Sequence, residues 1–167
     1  MQDSIHALES HIGIFKGLFD SFEKDSALWK LAPEKWCMLE IVCHLYDEER
    51  DDFRLRTKWV MERPGEIPPP FNPLEWVESK KYMEQDYETM TKQFLEERTA
   101  SISWLKSLNN PNWDHEFEHP KLGSLSAAYF LNNWVAHDLL HIRQILKLKF
   151  DYLQSRLNHG LDYAGSW

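Results

Sequence analysis

Hydrophobic residues recur every three or four positions in four long stretches of this chain, a spacing typical of α-helices with one apolar face. The stretches cover about residues 4–29, 37–62, 76–108 and 124–153. Such helices bury their apolar faces by packing against one another. We therefore predict an all-α protein, a four-helix bundle in a single domain that covers residues 1–167.

The segment between the second and third helices is rich in proline. It is Pro64-Gly-Glu-Ile-Pro-Pro-Pro-Phe-Asn-Pro73, which can form neither a helix nor a central strand. Extended, it reaches roughly 30 Å, whereas a 25-residue helix is about 38 Å long. With a few flanking residues it can run the length of a bundle and start the third helix at the opposite end. The predicted order is therefore up-down-down-up, with a long proline-rich crossover between helices two and three.

Two histidines lie one turn apart on the apolar stripe of the fourth helix. His137 and His141 share this stripe with Phe130, Trp134, Ile145 and Leu148. Side chains at that spacing have Cβ atoms about 5–6 Å apart, so the two imidazoles can converge on one metal ion. They can equally be core histidines that are hydrogen-bonded to backbone carbonyls. Burying imidazoles without partners is costly, and the pair alone leaves both interpretations open.

A third histidine, His44, lies on the second helix at a matching level. It is about 10 Å from the start of that helix, and His137 and His141 are roughly 14–20 Å from the end of the fourth. The crossover makes these two helices antiparallel, which brings the levels together. Three imidazoles leave coordination positions open, as in catalytic metal sites. Zn²⁺ is the expected divalent metal, and Ni²⁺ or Fe²⁺ is also compatible with imidazole ligands.

Six consecutive charged residues, 47–52, follow His44. They span more than one helical turn, so some of them must face the bundle interior. Glu48 lies one turn from His44, and Asp47 is at i+3. Either carboxylate can orient His44 or relay a proton, so both are candidate catalytic residues. Glu49 is expected to face solvent.

The other histidines are not expected to bind metal. His115-Glu-Phe-Glu-His119 matches the H-E-x-x-H pattern of zinc proteases, which requires a helix with both histidines on one face. Pro111 and Pro120 enclose the segment and leave too few residues for that helix. A turn or small β feature is expected in this link instead. His11, in the first helix, is expected at the surface.

Composition narrows the classes of partner. The chain has 19 Lys and Arg residues against 27 Asp and Glu residues, and its formal net charge of −8 argues against binding to nucleic acid. No apolar run approaches the length of a membrane span, and no signal peptide is visible. Cys37 and Cys43 are six positions apart and cannot easily form a disulfide, which fits a reducing compartment. We expect a cytoplasmic protein that binds no membrane.

The chain resembles the DinB-like (damage-inducible) metal-binding bundle proteins, relatives of the bacillithiol S-transferases and mycothiol-dependent isomerases. The resemblance extends from about residue 28 to 145, and its motifs are Pro33-Glu-Lys-Trp36, Glu40-Ile-Val-Cys-His44-Leu-Tyr-Asp47, Pro-Pro-Phe71 and Ala136-His137-Asp-Leu-Leu-His141-Ile-Arg-Gln144. It implies an up-down-down-up bundle whose metal is held by His44, His137 and His141. Where the family usually has serine or threonine, this chain has Cys37. This difference affects the capping of the second helix and not the metal ligands.

The resemblance suggests a metal-dependent transferase that activates a low-molecular-weight thiol for attack on a small electrophile. A metal-dependent hydrolase and a non-catalytic metal- or ligand-binding stress protein are the alternatives. A homodimer is a further open alternative. A wide, partly polar cavity beside the metal would favour an enzyme. The residues expected at its mouth are Trp36, Phe71, Trp76, Tyr152 and Trp167.

Overall fold

The computed structural model describes residues 1–165 and 167. Its α-helices are α1 (Gln2–Asp20), α2 (Lys24–Ala27), α3 (Met38–Asp47), α4 (Leu55–Glu62), α5 (Pro73–Ser79), α6 (Tyr87–Ser107) and α7 (Ala127–Ser155). A π-helix, Glu48–Arg54, joins α3 and α4 into one continuous rod, and short 3₁₀ turns lie at Tyr82–Glu84 and Asp162–Ala164. The strands β1 (Glu116–His119) and β2 (Gly123–Ser126) form one antiparallel hairpin.

Four of these units form a helix bundle: α1, the rod 38–62, α6 and α7. The first and last run parallel, because Ser4 Oγ donates to Asn132 Oδ1 (2.8 Å) and His11 Nδ1 lies 2.8 Å from Asp138 Oδ2 further along both helices. Residue numbers therefore rise together along α1 and α7. The two helices point in the same direction.

The rod and α6 are the second parallel pair. Arg98 Nε binds Glu49 Oε1 (2.9 Å), and one turn later Arg54 Nη1 donates to Ser101 Oγ (3.3 Å). The crossover therefore returns the chain to the end of the bundle at which the rod began. This confirms the predicted up-down-down-up bundle.

Two predicted helices are shorter than expected. The first ends at Asp20 and not near residue 29, since Ser21 Oγ turns back to donate to the Leu18 carbonyl (2.6 Å). The third was predicted over 76–108 but is divided. Lys81 adopts a left-handed conformation with φ 52°, and Asp86 Oδ1 caps a new helix by accepting from Thr89 N–H (2.9 Å).

The second and fourth helices lie close to their predicted bounds. The rod begins after Cys37, whose backbone N–H donates to Glu40 Oε2 (2.9 Å), so the glutamate arm of a capping box is present. α7 begins at Ala127 and not at 124, because the preceding residues belong to β2 and Ser126 Oγ accepts from Tyr129 N–H (3.1 Å). It is 29 residues long. Within residues 1–165 and 167, no helix is long and apolar enough to cross a membrane.

A buried network of charged and polar side chains around Arg98 joins all four bundle helices. Arg98 of α6 is 1% exposed and binds Glu49 of the rod through Nε (2.9 Å to both carboxylate oxygens). It also forms two parallel bonds to Asp138 of α7, at 2.7 and 2.8 Å. Trp134 Nε1 donates to Glu49 Oε2 (2.9 Å), and His11 of α1 completes the network at Asp138. Each charged group is thus paired inside the core.

The burial of Glu49 and His11 corrects two sequence-based predictions. Glu49 was expected to face solvent and is 1% exposed, and His11 was expected at the surface and is 5% exposed. Burying a carboxylate requires a counter-charge, which Arg98 supplies from a different helix. The expectation that part of the charged run 47–52 faces the interior is confirmed, since four of its members are buried: Asp47, Glu48, Glu49 and Asp52.

Replacing Arg98 with alanine is expected to lower the free energy of unfolding by about 3–5 kcal/mol, because Glu49 would remain buried without a counter-charge and Asp138 would keep only His11 as a partner. Urea unfolding followed by circular dichroism measures this loss. The matched control is Lys92→Ala on the same helix, where the exposed pair with Glu96 (3.8 Å) predicts a change within about 0.5 kcal/mol. Equal losses in the two variants would contradict a stabilising role for the buried network.

Candidate metal centre

Three imidazoles meet between α3 and α7. His44 of α3 faces His137 and His141 of α7, with ring centroids 5.5 and 4.9 Å away, and the latter two rings are 4.3 Å apart. One candidate ligand atom from each histidine lies within 4.8 Å of the others. The structure therefore brings together the three side chains that the sequence analysis grouped. Among the described residues, these three histidines are the group of His, Cys, Asp or Glu side chains that is arranged closely enough to hold a metal ion.

The antiparallel course of the rod and α7 produces this meeting. His44 lies beside His141, whereas Glu49, further along the rod, binds Trp134, which comes earlier in α7. Aromatic rings enclose the cluster on two sides. The Trp36 ring is 4.9 Å from that of His44, and the Phe53 ring is 4.9 Å from that of His137. The imidazoles therefore have apolar neighbours on these two sides.

The nitrogen positions fit a shared cation. His137 Nε2 and His141 Nε2 are 3.1 Å apart. Two imidazole nitrogens that each lie about 2.0–2.1 Å from one tetrahedral ion are about 3.3 Å apart. In addition, Nδ1 of His44 is buried without a hydrogen-bond partner in the described part of the chain. A buried polar atom without a partner is rare in proteins and often marks a ligand site.

Burial keeps the three imidazoles neutral. It lowers the pKa of His44 to about 2 and that of His137 to about 3, and repulsion between neighbouring imidazolium charges adds to both shifts. Burial also lowers the pKa of His141. A metal ligand must offer an unprotonated nitrogen, so the fold presents all three rings in the form that binding requires.

The two candidate acidic residues have different surroundings. Glu48 is buried, and its Oε1 lies 3.9 Å from His44 Nδ1, beyond hydrogen-bond length. Burial, and then the charge of the nearby Asp52, raises the pKa of Glu48 to about 9. Glu48 is therefore protonated at neutral pH and is a hydrogen-bond donor near the histidine.

Asp47 points to the opposite side of the rod. Its Oδ2 accepts from Tyr82 Oη (2.7 Å), and its Oδ1 pairs with Lys80 Nζ (2.8 Å). It forms no hydrogen bond or ion pair with the three histidines among residues 1–165 and 167. The contacts of Asp47 join the rod to the segment before α6. The structure therefore assigns it to packing and not to the metal centre.

Two cavities adjoin the histidines and share Leu140 in their walls. The first, of about 560 Å³, includes His141, and the second, of about 320 Å³, includes His137. Of the aromatic residues predicted at the mouth, Trp36 and Trp167 line the first cavity and Phe71 lines the second. The other two pack on aromatic neighbours: Trp76 on Phe71 at 5.9 Å and Tyr152 on Trp29 at 5.4 Å.

The H-E-x-x-H segment is not helical, as predicted. Residues Glu116–His119 form β1, and His115 Nδ1 is 2.8 Å from the Met61 carbonyl. His119 Nδ1 accepts from the backbone N–H groups of Lys121 and Leu122, both at 3.2 Å. His119 nevertheless lines the second cavity, which the sequence analysis did not anticipate.

Asp52 was also missed as a residue near the site. It lines the second cavity, and its carboxylate pairs with Arg56 one turn later. The signal was present in the sequence, since Asp52 lies four positions after Glu48 and eight after His44 on one helix. Asp52 was not singled out because it belongs to a run of six charged residues, and periodicity alone cannot show which of six adjacent charges face inward.

The family model described as the DinB superfamily matches residues 7–145, which include all three histidines. The structure of YfiT from Bacillus subtilis, described as a probable metal-dependent hydrolase with an unusual four-helix bundle topology, is similar with a TM-score of 0.77. The two sequences are 19% identical, and the match covers 89% of this chain and 85% of YfiT. No curated protein matches the chain.

When the pH is lowered from 7.5 to 5.5, the buried histidines are expected to cause a loss of stability in the metal-free protein, which opposes the gain from Glu48, whose pKa burial raises to about 9. The comparison with a variant that lacks two of these histidines isolates their contribution. Unfolded histidines take up protons below a pKa of about 6.5, whereas the folded triad stays neutral, so protons favour the unfolded state. His44 and His137 should each contribute about 1 kcal/mol of this loss. Urea unfolding of chelator-treated protein at the two pH values measures it.

A His44→Gln/His137→Gln double variant should lose correspondingly less stability over the same pH range. His159→Gln, which changes an exposed histidine in the tail, should behave like the unaltered chain. The interpretation is wrong if the double variant shows the full pH dependence of the unaltered protein.

Proposed function

Because this chain belongs to the DinB superfamily, we propose that it is a metal-dependent enzyme in which His44, His137 and His141 hold a divalent cation. Zn²⁺ is the expected ion because it accepts three imidazoles and leaves a position open. The reaction we propose is the transfer of a low-molecular-weight thiol to a small electrophile. One observation carries this proposal: three largely buried, neutral imidazoles converge beside cavities large enough for organic molecules.

The residues of the site suit the ionisation of a thiol. A bound cation would supply a positive charge that lowers the pKa of a thiol, and the thiolate is the nucleophilic form. Three neutral ligands leave the charge of that cation undiminished. Trp36 and Phe53 pack against the rings of His44 and His137, and such apolar neighbours lower the local dielectric, which strengthens electrostatic interactions. Glu48 Oε1 lies 3.9 Å from His44 Nδ1, so this residue contributes a nearby carboxyl group to the surroundings of the histidine.

The transfer step balances without an oxidant or reductant. The thiol proton passes to solvent, and the sulfur forms a bond to an electrophilic carbon. The group that this carbon carried leaves with the electron pair of the broken bond. The cavities on both sides of Leu140 provide room for the thiol and for the electrophile.

Hydrolysis is the second candidate function. It is favoured by the fold shared with YfiT, which is described as a probable metal-dependent hydrolase. In that case water takes the place of the thiol as nucleophile, and the same three histidines serve. The two candidates differ in one measurable respect, the dependence of the reaction on an added thiol.

Replacing His141 with alanine is expected to abolish stoichiometric metal binding while leaving helix content largely intact. Two remaining imidazoles cannot complete the ligand set, and residue 141 lies at the edge of a cavity. Elemental analysis and circular dichroism give the two readouts. The matched control is the double variant His115→Ala/His119→Ala, whose metal content should be unchanged. Undiminished metal in His141→Ala, or lost metal in the control, would refute the proposed triad.

The zinc-loaded protein is expected to accelerate consumption of a thiol by a generic chloronitroaromatic electrophile, measured by absorbance with a panel of cellular thiols. Chelated protein and the His141→Ala variant should show only the uncatalysed rate. Turnover of ester or amide substrates without any thiol would instead support the hydrolase. Inactivity with every thiol and every ester would leave a metal- or ligand-binding protein.

A further inference from the structure

We propose that the metal centre serves two organic substrates held in separate cavities, an anionic one beside His141 and an uncharged, apolar one beside His137. This inference rests on the proposed function, and it names the substrate classes of that site. It derives from the different wall chemistry of the two cavities. The first cavity is called the basic cavity below, and the second the apolar cavity.

The two cavities meet at the histidines. His141 belongs to the wall of the basic cavity, His137 to that of the apolar cavity, and Leu140 to both. The nitrogens of the two histidines are 3.1 Å apart, so ligands in the two cavities approach the same point. Volumes of about 560 and 320 Å³ suit one small organic molecule each.

The basic cavity carries a net positive charge in a protein whose formal charge is −8. Lys35, Arg143, Lys147 and Asp151 line it, and Lys147 is paired with Asp151. Within the described chain, Lys35 and Arg143 form no ion pair, so two cationic groups remain for a ligand. A guanidinium can bind a carboxylate through two parallel hydrogen bonds.

Apart from His141 and Gln144, the rest of the basic cavity is lined by aliphatic and aromatic residues. Trp36, Leu31 and Leu148 contribute to its wall. A ligand that fills it therefore combines a hydrocarbon body with a negatively charged group. The anion would lie toward Arg143 and Lys35, which leaves the other end of the ligand free to face His141. An acid-bearing thiol has this chemistry.

The apolar cavity offers no net charge to a ligand. Its two charged residues, Asp52 and Arg56, are paired with each other, and much of the remaining wall is aliphatic or aromatic. The apolar members of this wall are Phe53, Phe71, Phe117, Leu122, Leu125, Phe130, Ala136 and Leu140. An uncharged, apolar molecule is therefore the ligand that this wall favours.

His119 gives the apolar cavity an orienting polar group, in addition to Asn133 and Tyr129 of the same wall. Its Nδ1 accepts two backbone N–H groups, so the ring proton of the neutral form lies on Nε2. Nε2 forms no hydrogen bond within residues 1–165 and 167, and it remains available to donate to a ligand. A substrate with one acceptor oxygen, such as a carbonyl or nitro group, would use this donor.

Two cavities beside one metal centre, each suited to an organic molecule, favour transfer over hydrolysis. A hydrolase needs one organic substrate and water, which requires no second cavity. Transfer between two organic molecules needs both to approach the same atom from separate sites. The wall chemistry thus separates the acid-bearing nucleophile from the apolar electrophile.

The test uses calorimetric titration with two matched probes, 4-phenylbutyrate and its uncharged amide, on metal-loaded and metal-free full-length protein. Replacing the exposed Arg143 with glutamate is expected to weaken carboxylate binding by about tenfold or more, since a charge-assisted bond is lost and repulsion is added. The amide should keep its affinity in that variant. Leu122→Glu, at an exposed position of the apolar cavity, should weaken the amide and spare the carboxylate.

Lys92→Glu is the matched control for charge reversal, because this exposed residue of α6 lines neither cavity. Equal weakening of the carboxylate by Lys92→Glu and Arg143→Glu would overturn the proposal, since it would show only a net-charge effect. Competition between the two probes for one site would also overturn it. So would carboxylate binding that is insensitive to Arg143→Glu but lost on metal removal, because the acid would then bind the ion.

The same variants separate this inference from the proposed function. Arg143→Glu should retain full metal content by elemental analysis, since the residue is not one of the three histidines. If the unaltered chain holds no metal, the proposed function fails while carboxylate binding can still be measured in the metal-free protein. If metal is held but neither variant alters probe binding, the cavity assignment alone fails.

Discussion

The structure depends on the pairing of one buried guanidinium with two carboxylates. Arg98 of α6 binds Glu49 of the rod and Asp138 of α7, and Asp138 in turn contacts His11 of α1. Burying these charges is tolerable only where each finds its partner at hydrogen-bond distance. A slip of one helical turn between any two helices would leave a charge unpaired. The network therefore restricts the register of the whole bundle.

The metal centre uses the register that this network imposes. Asp138 directly follows His137, and Glu49 lies just over one turn after His44. When Arg98 joins Glu49 and Asp138, it also sets the level at which the rod and α7 cross. The histidines are then opposite one another without any contact of their own that would attract them. A structural layer of paired charges thus positions an adjacent layer of neutral ligands.

The two layers differ in how well their polar groups are satisfied. Around Arg98, both carboxylates and the Trp134 N–H have partners at 2.7–2.9 Å. In the histidine layer, Nδ1 of His44 and Nδ1 of His141 are buried and have no hydrogen-bond partner within the described residues. A satisfied buried network stabilises a fold, whereas an unsatisfied one indicates a missing ligand. The contrast supports a structural role for the first and a binding role for the second.

Local periodicity in the sequence was sufficient for the presence of the four bundle helices, though not for the bounds of the first and third, and for the crossover and the grouping of His44 with His137 and His141. Each of these follows from the fixed rise and turn of a helix and from the length that a proline-rich segment can reach. The tertiary structure alone decided that Glu49 and His11 are buried, that Asp47 faces Tyr82, and that His119 and Arg143 line cavities. The physical reason is that a periodic pattern reports which face of its own helix a residue occupies. Whether a charge on that face is buried depends on a partner from another helix, such as Arg98, which lies 49 positions from Glu49.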